Sequence, residues 1–304
     1  MAKFLIKRIL SALLTLFIVA TLTFFLMNMI PGGPFQNEKI TEKMLGIINE
    51  KYGLDKPIFQ QYLSYMGKLV KGDLGISYKR QGYTINQIIA EKFPVSAKLG
   101  AVTMLWGVFS GILLGVAAAV NHNKIIDKTA MFLCTLGIAV PSFVIGTSLI
   151  YSFSINIKGL PWGGLDTPLH YILPVIALSF QPMSYIARLM RSNMLDAIDQ
   201  DYIKTARAKG LSTGKTIFKH AMRNTIIPII TYLGPMTAAV LTGGFVTERI
   251  FDINGLGSYF VESIGHRDYP MIMGTTIFFA ALIIFANLIV DILYHVVDPR
   301  IKVE

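Results

Sequence analysis

The sequence predicts an all-α membrane protein of six transmembrane helices, and three observations carry that reading. Hydrophobic residues make up 53% of the 304 and charged residues only 15%, whereas soluble domains carry about 25% charge. Six apolar stretches (9–30, 95–120, 128–155, 170–190, 226–247 and 271–296) each reach the roughly 20 residues that span a hydrocarbon core. The basic residues fall between these stretches. A net charge of +10 on one face would be a nucleic-acid footprint. Basic residues that punctuate apolar runs instead follow the positive-inside pattern of membrane proteins. The lipid bilayer is therefore the expected partner, and nucleic acid is not.

The first span follows Lys3, Lys7 and Arg8. Its apolar run is longer than a signal peptide's core of about 7–15 residues and has no A-x-A-like cleavage site, so it reads as a retained helix, residues 1–30. A polar segment, 31–94, follows. Within it Ile58, Phe59, Tyr62, Leu63, Met66, Leu69 and Val70 recur at helical spacing after Pro57. Thr84 and Gln87 have the spacing of a capping box and are expected to open another short helix. The remaining five stretches form the expected core, 95–304. Cys134, the single cysteine, lies in an apolar run and reads as a small buried hydrophobe.

Orientation follows from Lys and Arg. With the N-terminus inside, the inner segments hold Lys3, Lys7 and Arg8; Lys124 and Lys128; and Arg300 and Lys302. The segment between spans four and five adds Arg188, Arg191, Lys204, Arg207, Lys209, Lys215, Lys219 and Arg223. The two short outer loops hold only Lys158, Arg249 and Arg267. Segment 31–94 is long enough to escape the rule, which applies to loops below about 60 residues. Both termini inside, with an even number of spans, is the consistent topology.

Inside the spans, Gly107, Gly111 and Gly115 lie four apart on one face, a small-xxx-small pattern that lets helices approach closely. Pro141, Pro174, Pro182, Pro228 and Pro235, with Gly243–Gly244, are expected helix breaks around a translocation pathway. Freed backbone groups are tolerated at membrane depth only against protein or a watery cavity; bundle packing is the alternative. Of the ionisable residues, Lys98 can snorkel, while Arg188 and Asp291 lie near the inner ends of spans four and six. Asp291 needs a partner, with Arg188 or Arg191 the candidates. No relay of carboxylates and histidines crosses the spans, which argues against a proton-coupled carrier and for energy supplied from outside the chain.

Between spans four and five, Asp199 or Asp201 can cap a short basic helix ending at Lys209, with Gly210 as its stop. Ser212 or Thr213 then opens a helix leading into span five. Ala206 and Ala208 keep the short helix slim, as a docking element would be; an ordinary basic loop is the alternative. The G-L-S-T-G-K-T of this stretch imitates a phosphate-binding loop. Gly210 and Gly214 enclose three residues, however, where the phosphate loop requires four, so nucleotide binding by this chain is not expected. The five histidines are scattered, and no nucleophile–base pair marks the chain as an intramembrane hydrolase or any other enzyme.

Several segments carry a resemblance that covers nearly the whole chain. They are KRIL, LFIVATLTFFLM, PGGPF, KYGLDKPIFQQYLSYMGKLVKGDLGISY, FPVSAKLGA, VPSFVIG, TARAKGLS, KHAMRNTIIPIIT, TERIFDINGLG, RDYP and VDILYHVVDPRI. In this order they resemble the permease subunits of ATP-binding-cassette importers of the peptide/nickel class, and within it the oligopeptide B type. The resemblance implies a type I importer permease fold with 31–94 as a small extracytoplasmic helical segment. It implies that 191–224 is the ATPase-coupling segment, with Asp201, Lys204, Thr205, Ala206, Arg207, Ala208, Lys209, Gly210 and Leu211 as its contact residues. The family's EAA---G consensus reads here as Lys204-Thr205-Ala206 with Gly210 in place, a form common in the peptide class. Implied partners are a second related permease chain, two ATPase subunits that bind ATP and Mg, and an extracytoplasmic peptide-binding protein. This chain would hold no cofactor or metal. The implied location is a bacterial or archaeal cytoplasmic membrane with both termini cytoplasmic. The expected cargo is oligopeptides; dipeptides, glutathione or nickel are the alternatives within the class.

Overall fold

The structure, a computed structural model, describes residues 2–35, 42–80 and 82–297. Among the described residues the regular structure is helical, apart from an isolated antiparallel bridge between Ile76 and Thr84. Helices long and apolar enough to span lie at Ile6–Met29, Ile85–Val120, Pro168–Ile198 and Tyr269–Ile289. The pair Ile125–Ala139 and Ser142–Asn156, bent by 107°, makes a further one if it is counted as a single broken span. The expected fifth span is occupied by a helix of 17 residues, Ile227–Gly243, which is at the short end of the spanning range of about 17–25. The six-helix reading is compatible with this set. The chain divides into two compact units, Met1–Val95 with Asn254–Phe285, and Ser96–Ile253 with Ala286–Glu304.

In the first unit, α1 (Ala2–Met29) turns Leu10, Leu13, Phe17, Leu22 and Leu26 outward, as a helix surrounded by lipid does. Two helices follow, α2 (Glu42–Tyr52) and α3 (Ile58–Val70), and α3 begins directly after Pro57 as its spacing predicts. Tyr62 and Tyr65 of α3 pack on Phe24 of α1, with ring centroids 5.5 and 5.6 Å away. The capping box forms reciprocally: the Gln87 N–H donates to Thr84 Oγ1 at 3.2 Å, and the Thr84 N–H donates to Gln87 Oε1 at 3.0 Å. What it opens differs from the expectation. Rather than a separate short helix it starts α4 (Ile85–Val120), 36 continuous residues with Pro94 inside. Proline removes one backbone donor. Here the turn around it is held by Phe93, which meets Phe278 edge-on at 4.9 Å, and by Lys92 over the Tyr259 ring.

The second unit is organised around α7 (Ile172–Ile198). The Gly107/Gly111/Gly115 stripe of α4 packs on it, closer at each step. A Cβ at Gly107 would lie 3.5 Å from Pro182; at Gly111, 2.8 Å from the Met183 carbonyl; at Gly115, 2.6 Å from the Ala187 carbonyl. Only glycine permits the last two approaches. On another side α5 (Ile125–Ala139) packs against α7 with Cys134 fully buried, as the apolar run around it suggests. The core of the unit gathers Ile186, Met190 and Met194 of α7 with Ile203, Ile217, Ala221, Ile229 and Met236.

Candidate functional site

The connection after α7 is a short helix, α8 (Asp201–Ala208). Its start departs from the expected aspartate cap: Gln200 occupies the N-cap position without a side-chain cap, and Asp201 is the first helical residue. Asp201 instead accepts a hydrogen bond from Lys204 Nζ at 3.0 Å on the solvent side. The end follows the sequence closely. Gly210 has φ +79°, its N–H donates to the Arg207 carbonyl at 2.9 Å, and the Leu211 N–H reaches the Ala206 carbonyl at 3.3 Å. These two bonds are the Schellman stop that a C′ glycine supports.

The faces of α8 divide the predicted coupling residues into two groups. Ile203 and Ala206 turn inward, 1% and 6% exposed, and Ile203 joins the α7 core cluster. Asp201, Tyr202, Lys204, Thr205, Arg207, Ala208, Lys209 and Gly210 are exposed, and Leu211 is half-buried. Ala206, read from sequence as part of a slim contact face, therefore seats α8 on its own chain. Ala208 is the small residue on the open face. Arg207 also borders a cleft of about 340 Å³ with His122, Asp199, Leu195 and Ile217. The G-L-S-T-G-K-T stretch links α8 to α9 (Thr213–Lys215), so helix rather than strand precedes it. From there the chain continues through a π-helical turn, Thr216–Ala221, and α10 (Met222–Thr225) into α11 (Ile227–Gly243).

The predicted helix breaks also sort into classes. Pro141 is a true break: α5 ends at Ala139, and α6 (Ser142–Leu149) leaves at the 107° bend before a π-helical segment, Ile150–Asn156. Gly244 is another, separating α11 from α12 (Phe245–Ile250). Pro174 and Pro228 lie in the first turns of α7 and α11, where a missing donor costs little. They start helices rather than break them. Pro182 is absorbed inside α7, and Pro235 lies within α11. The side chain of Pro235 lies outside the described residues. The two real breaks meet: Ser142 Oγ and Thr247 Oγ1 are 3.3 Å apart, and Gly146 makes room for the Phe251 ring. The Phe251 carbonyl in turn accepts from the Gly164 N–H at 2.9 Å.

The arginines near the inner ends of the spans have partners on α5. Arg188 Nη2 donates to Thr135 Oγ1 at 2.6 Å. Arg191 makes a two-pronged pair with Asp127, at 2.5 and 2.7 Å, and its guanidinium also lies 3.2 Å from His122 Nδ1. Asp127, its side chain 4% exposed, was not among the sequence candidates. Asp291 lies on α14 (Tyr269–Val297), but its side chain is outside the described residues.

The first unit brings three of the quoted motifs together. α13 (Leu256–Gly265) leads to Arg267-Asp268-Tyr269-Pro270. Asp268, 4% exposed, accepts from Ser77 Oγ, from the Tyr78 N–H at 3.1 Å and from the Met271 N–H at 3.4 Å. Arg267 Nη1 donates to the carbonyls of Pro31 and Gly33 at 3.0 and 3.2 Å, and Lys79 Nζ donates to that of Pro34 at 3.2 Å. The PGGPF loop, the GDLGISY turn and RDYP are thus one hydrogen-bonded cluster. Burial pushes the Tyr78 phenol pKa upward, and the Asp268 carboxylate adds to the shift. A cavity of about 500 Å³ beside the cluster is lined by Arg80, Tyr259, Glu262 and His266, among others.

Residues 111–303 match the family described as binding-protein-dependent transport system inner membrane component, and residues 1–100 match the corresponding N-terminal family. The chain belongs to the binding-protein-dependent transport family. Among its relatives, a dipeptide transport system permease protein of Bacillus subtilis is 45% identical over 100% of this chain and 99% of its own length. An oligopeptide transport system permease protein of Haemophilus influenzae is 42% identical, over 99% of this chain and 100% of the relative. In fold, the permease resembles the methionine ABC transporter MetNI in an inward-facing form. That match has a TM-score of 0.58 at 15% identity and covers 70% of this chain and 97% of that one. The permease is therefore an all-α integral membrane protein of type I importer architecture, the fold expected from its motifs. Sequence reasoning missed the Asp127–Arg191 pair and the role of Asp268, whose partners lie 64 and 191 residues away in the chain.

Proposed function

We propose that the permease is the translocation subunit of an ATP-driven importer of peptides and performs no hydrolysis itself. Whole-length likeness carries this reading: relatives named as dipeptide and oligopeptide permeases are 40–45% identical to the chain from end to end. Both cargo classes are matched almost equally. Oligopeptides remain the cargo of first choice, with dipeptides beside them and glutathione or nickel further off.

In this reading α8 is the coupling helix, positioned by Ile203 and Ala206 and contacting the ATPase through Lys204, Thr205, Arg207, Ala208 and Lys209. Two ATPase subunits hold ATP and Mg, a second related permease chain completes the pathway, and an extracytoplasmic protein delivers peptide. The meeting breaks at Pro141 and Gly244 border the pathway, since irregular backbone at membrane depth belongs against protein or a watery cavity. Both termini are cytoplasmic, and 31–94 forms a helical segment on the opposite side of the membrane from the core's coupling segment, 191–224.

The test is transport by the complex purified from native membranes and reconstituted in vesicles with its binding protein. Peptide uptake should require ATP on the α8 side and should be competed by unlabelled di- and oligopeptides. Uptake driven by a proton gradient without ATP would sink the importer reading. Uptake of nickel or glutathione but no peptide would move the cargo to the alternatives.

A further inference from the structure

We infer that α3 lies along the membrane surface at the Met29 end of α1, with a stripe of its side chains among lipid acyl chains. The first observation is depth. Tyr62 OH and Thr21 Oγ1 are 2.9 Å apart, and Tyr62 stacks on Phe25 with centroids 5.3 Å apart. Thr21 precedes Met29, the end of the α1 span, by eight residues and Phe25 by four. At 1.5 Å per residue these anchor points lie about 12 and 6 Å below the end of the span. Helices of this kind bury an apolar face about 5–10 Å into the boundary.

The second observation is that α3 has three faces. One, with Tyr62 and Tyr65, packs on α1 and on α14 residues within the same unit. A second carries Gln60, Ser64 and Lys68, repeating every four residues and exposed. A third carries Phe59, Leu63 and Val70, at spacings of four and seven, 66%, 54% and 85% exposed. At 100° per residue the two exposed stripes lie on opposite flanks of the tyrosine face. A helix fully in water has no use for the Phe59 stripe, and a fully immersed one would not carry the Gln60 stripe.

The third observation names the occupant. Phe25 and Leu26 of α1 remain 39% and 58% exposed, Phe25 even with one ring face on Tyr62, on a helix whose span is 11% buried. The Tyr62–Phe25 stack makes the apolar flank of α3 continuous with that lipid-facing surface. Lys68 and Lys71 at the C-terminal end reach the headgroup level and suit anionic lipid. The inference requires that α1 spans a bilayer. It does not depend on which side of the membrane α3 occupies or on what the permease carries.

The experiment places an environment-sensitive fluorophore on single cysteines, Phe59→Cys, Val70→Cys and the control Ser64→Cys, on a Cys134→Ala background. All three sites are exposed, so the substitutions leave the core intact. The assembled importer is reconstituted in lipid carrying bromine on its acyl chains. Quenching by brominated lipid should be greater at 59 and 70 than at 64 by about two-fold or more, with aqueous iodide giving the reverse order. Equal iodide quenching at all three sites overturns the inference. So does protection of 59 and 70 from both quenchers, which would mean that another subunit covers the stripe. Loss of transport in a control sample with normal quenching would count against the cargo reading and leave the membrane contact standing.

Discussion

The guanidinium of Arg191 meets both carboxylate oxygens of Asp127, at 2.5 and 2.7 Å, and joins α7 to the first turn of α5. Asp127 also accepts the N–H of Asn123 at 2.9 Å, which closes a turn where Asn123 has φ +62°. Arg191 is 24% exposed, and without it Asp127 keeps the Asn123 N–H and the nearby His122. Arg191→Leu should therefore destabilise the assembled permease by about 1–3 kcal/mol. The double substitution Asp127→Leu/Arg191→Leu should recover part of that loss. Thermal unfolding in detergent reads both, and strict additivity of the two single changes would refute the coupling.

Along the glycine seam the expected cost rises step by step. Gly107→Ala places its methyl at an ordinary 3.5 Å from Pro182, whereas Gly115→Ala meets a carbonyl at 2.6 Å and Met190 at 2.7 Å. The first should be nearly silent. The second should cost about 1–3 kcal/mol through overpacking. Equal melting temperatures for the two variants would contradict the seam.

On α8, Ala206→Trp should lower stability because Ala206 faces its own chain. Ala208→Trp, on the exposed side, should leave the fold intact and reduce peptide-stimulated ATP hydrolysis and uptake together. Normal coupling in Ala208→Trp, with the ATPases attached, would reduce α8 to a connecting turn.

Gly210→Val tests the left-handed stop. No atom lies within 4 Å of its Cβ position, so the penalty is conformational alone, about 1–2 kcal/mol. Gly210→Asn, whose side chain tolerates that region, should behave closer to wild type. If Asn and Val behave identically, the backbone argument fails.

For topology, Lys71→Cys and Lys215→Cys are both exposed reporters; Lys79, bonded to the Pro34 carbonyl, is a poorer one. On a Cys134→Ala background the two should react with an impermeant reagent from opposite sides. Reaction of both from one side would overturn the proposed orientation.

What could be read from the sequence was local. The Thr84/Gln87 capping box, the Gly210 stop and the four-residue glycine spacing each need only a few consecutive residues to be recognised. Partners far apart in the chain were hidden: Asp127 from Arg191, and Ser77 from Asp268. A loop-edge aspartate and a serine among glycines carry no periodic signal. Pro141 was visible as a break, but neither its 107° bend nor the approach of Gly146 to Phe251, far away in the chain, was. Ala206 was legible as small and was grouped with the contact residues, while the structure turns it toward its own chain. The three-residue spacing from Ile203 to Ala206 was the available clue that both point inward.

The narrowing seam between α4 and α7 has a mechanical consequence. Clearance falls from 3.5 Å at Gly107 to 2.6 Å at Gly115. The tight end adjoins Met190, next in the chain to Arg191, which is held by Asp127. If the two helices move relative to one another, the fulcrum lies there, and the arm runs from Gly115 back to Gly107, about 12 Å at 1.5 Å per residue. A tilt of about 5° then shifts Gly107 across Pro182 by about 1 Å, while Gly115 hardly moves.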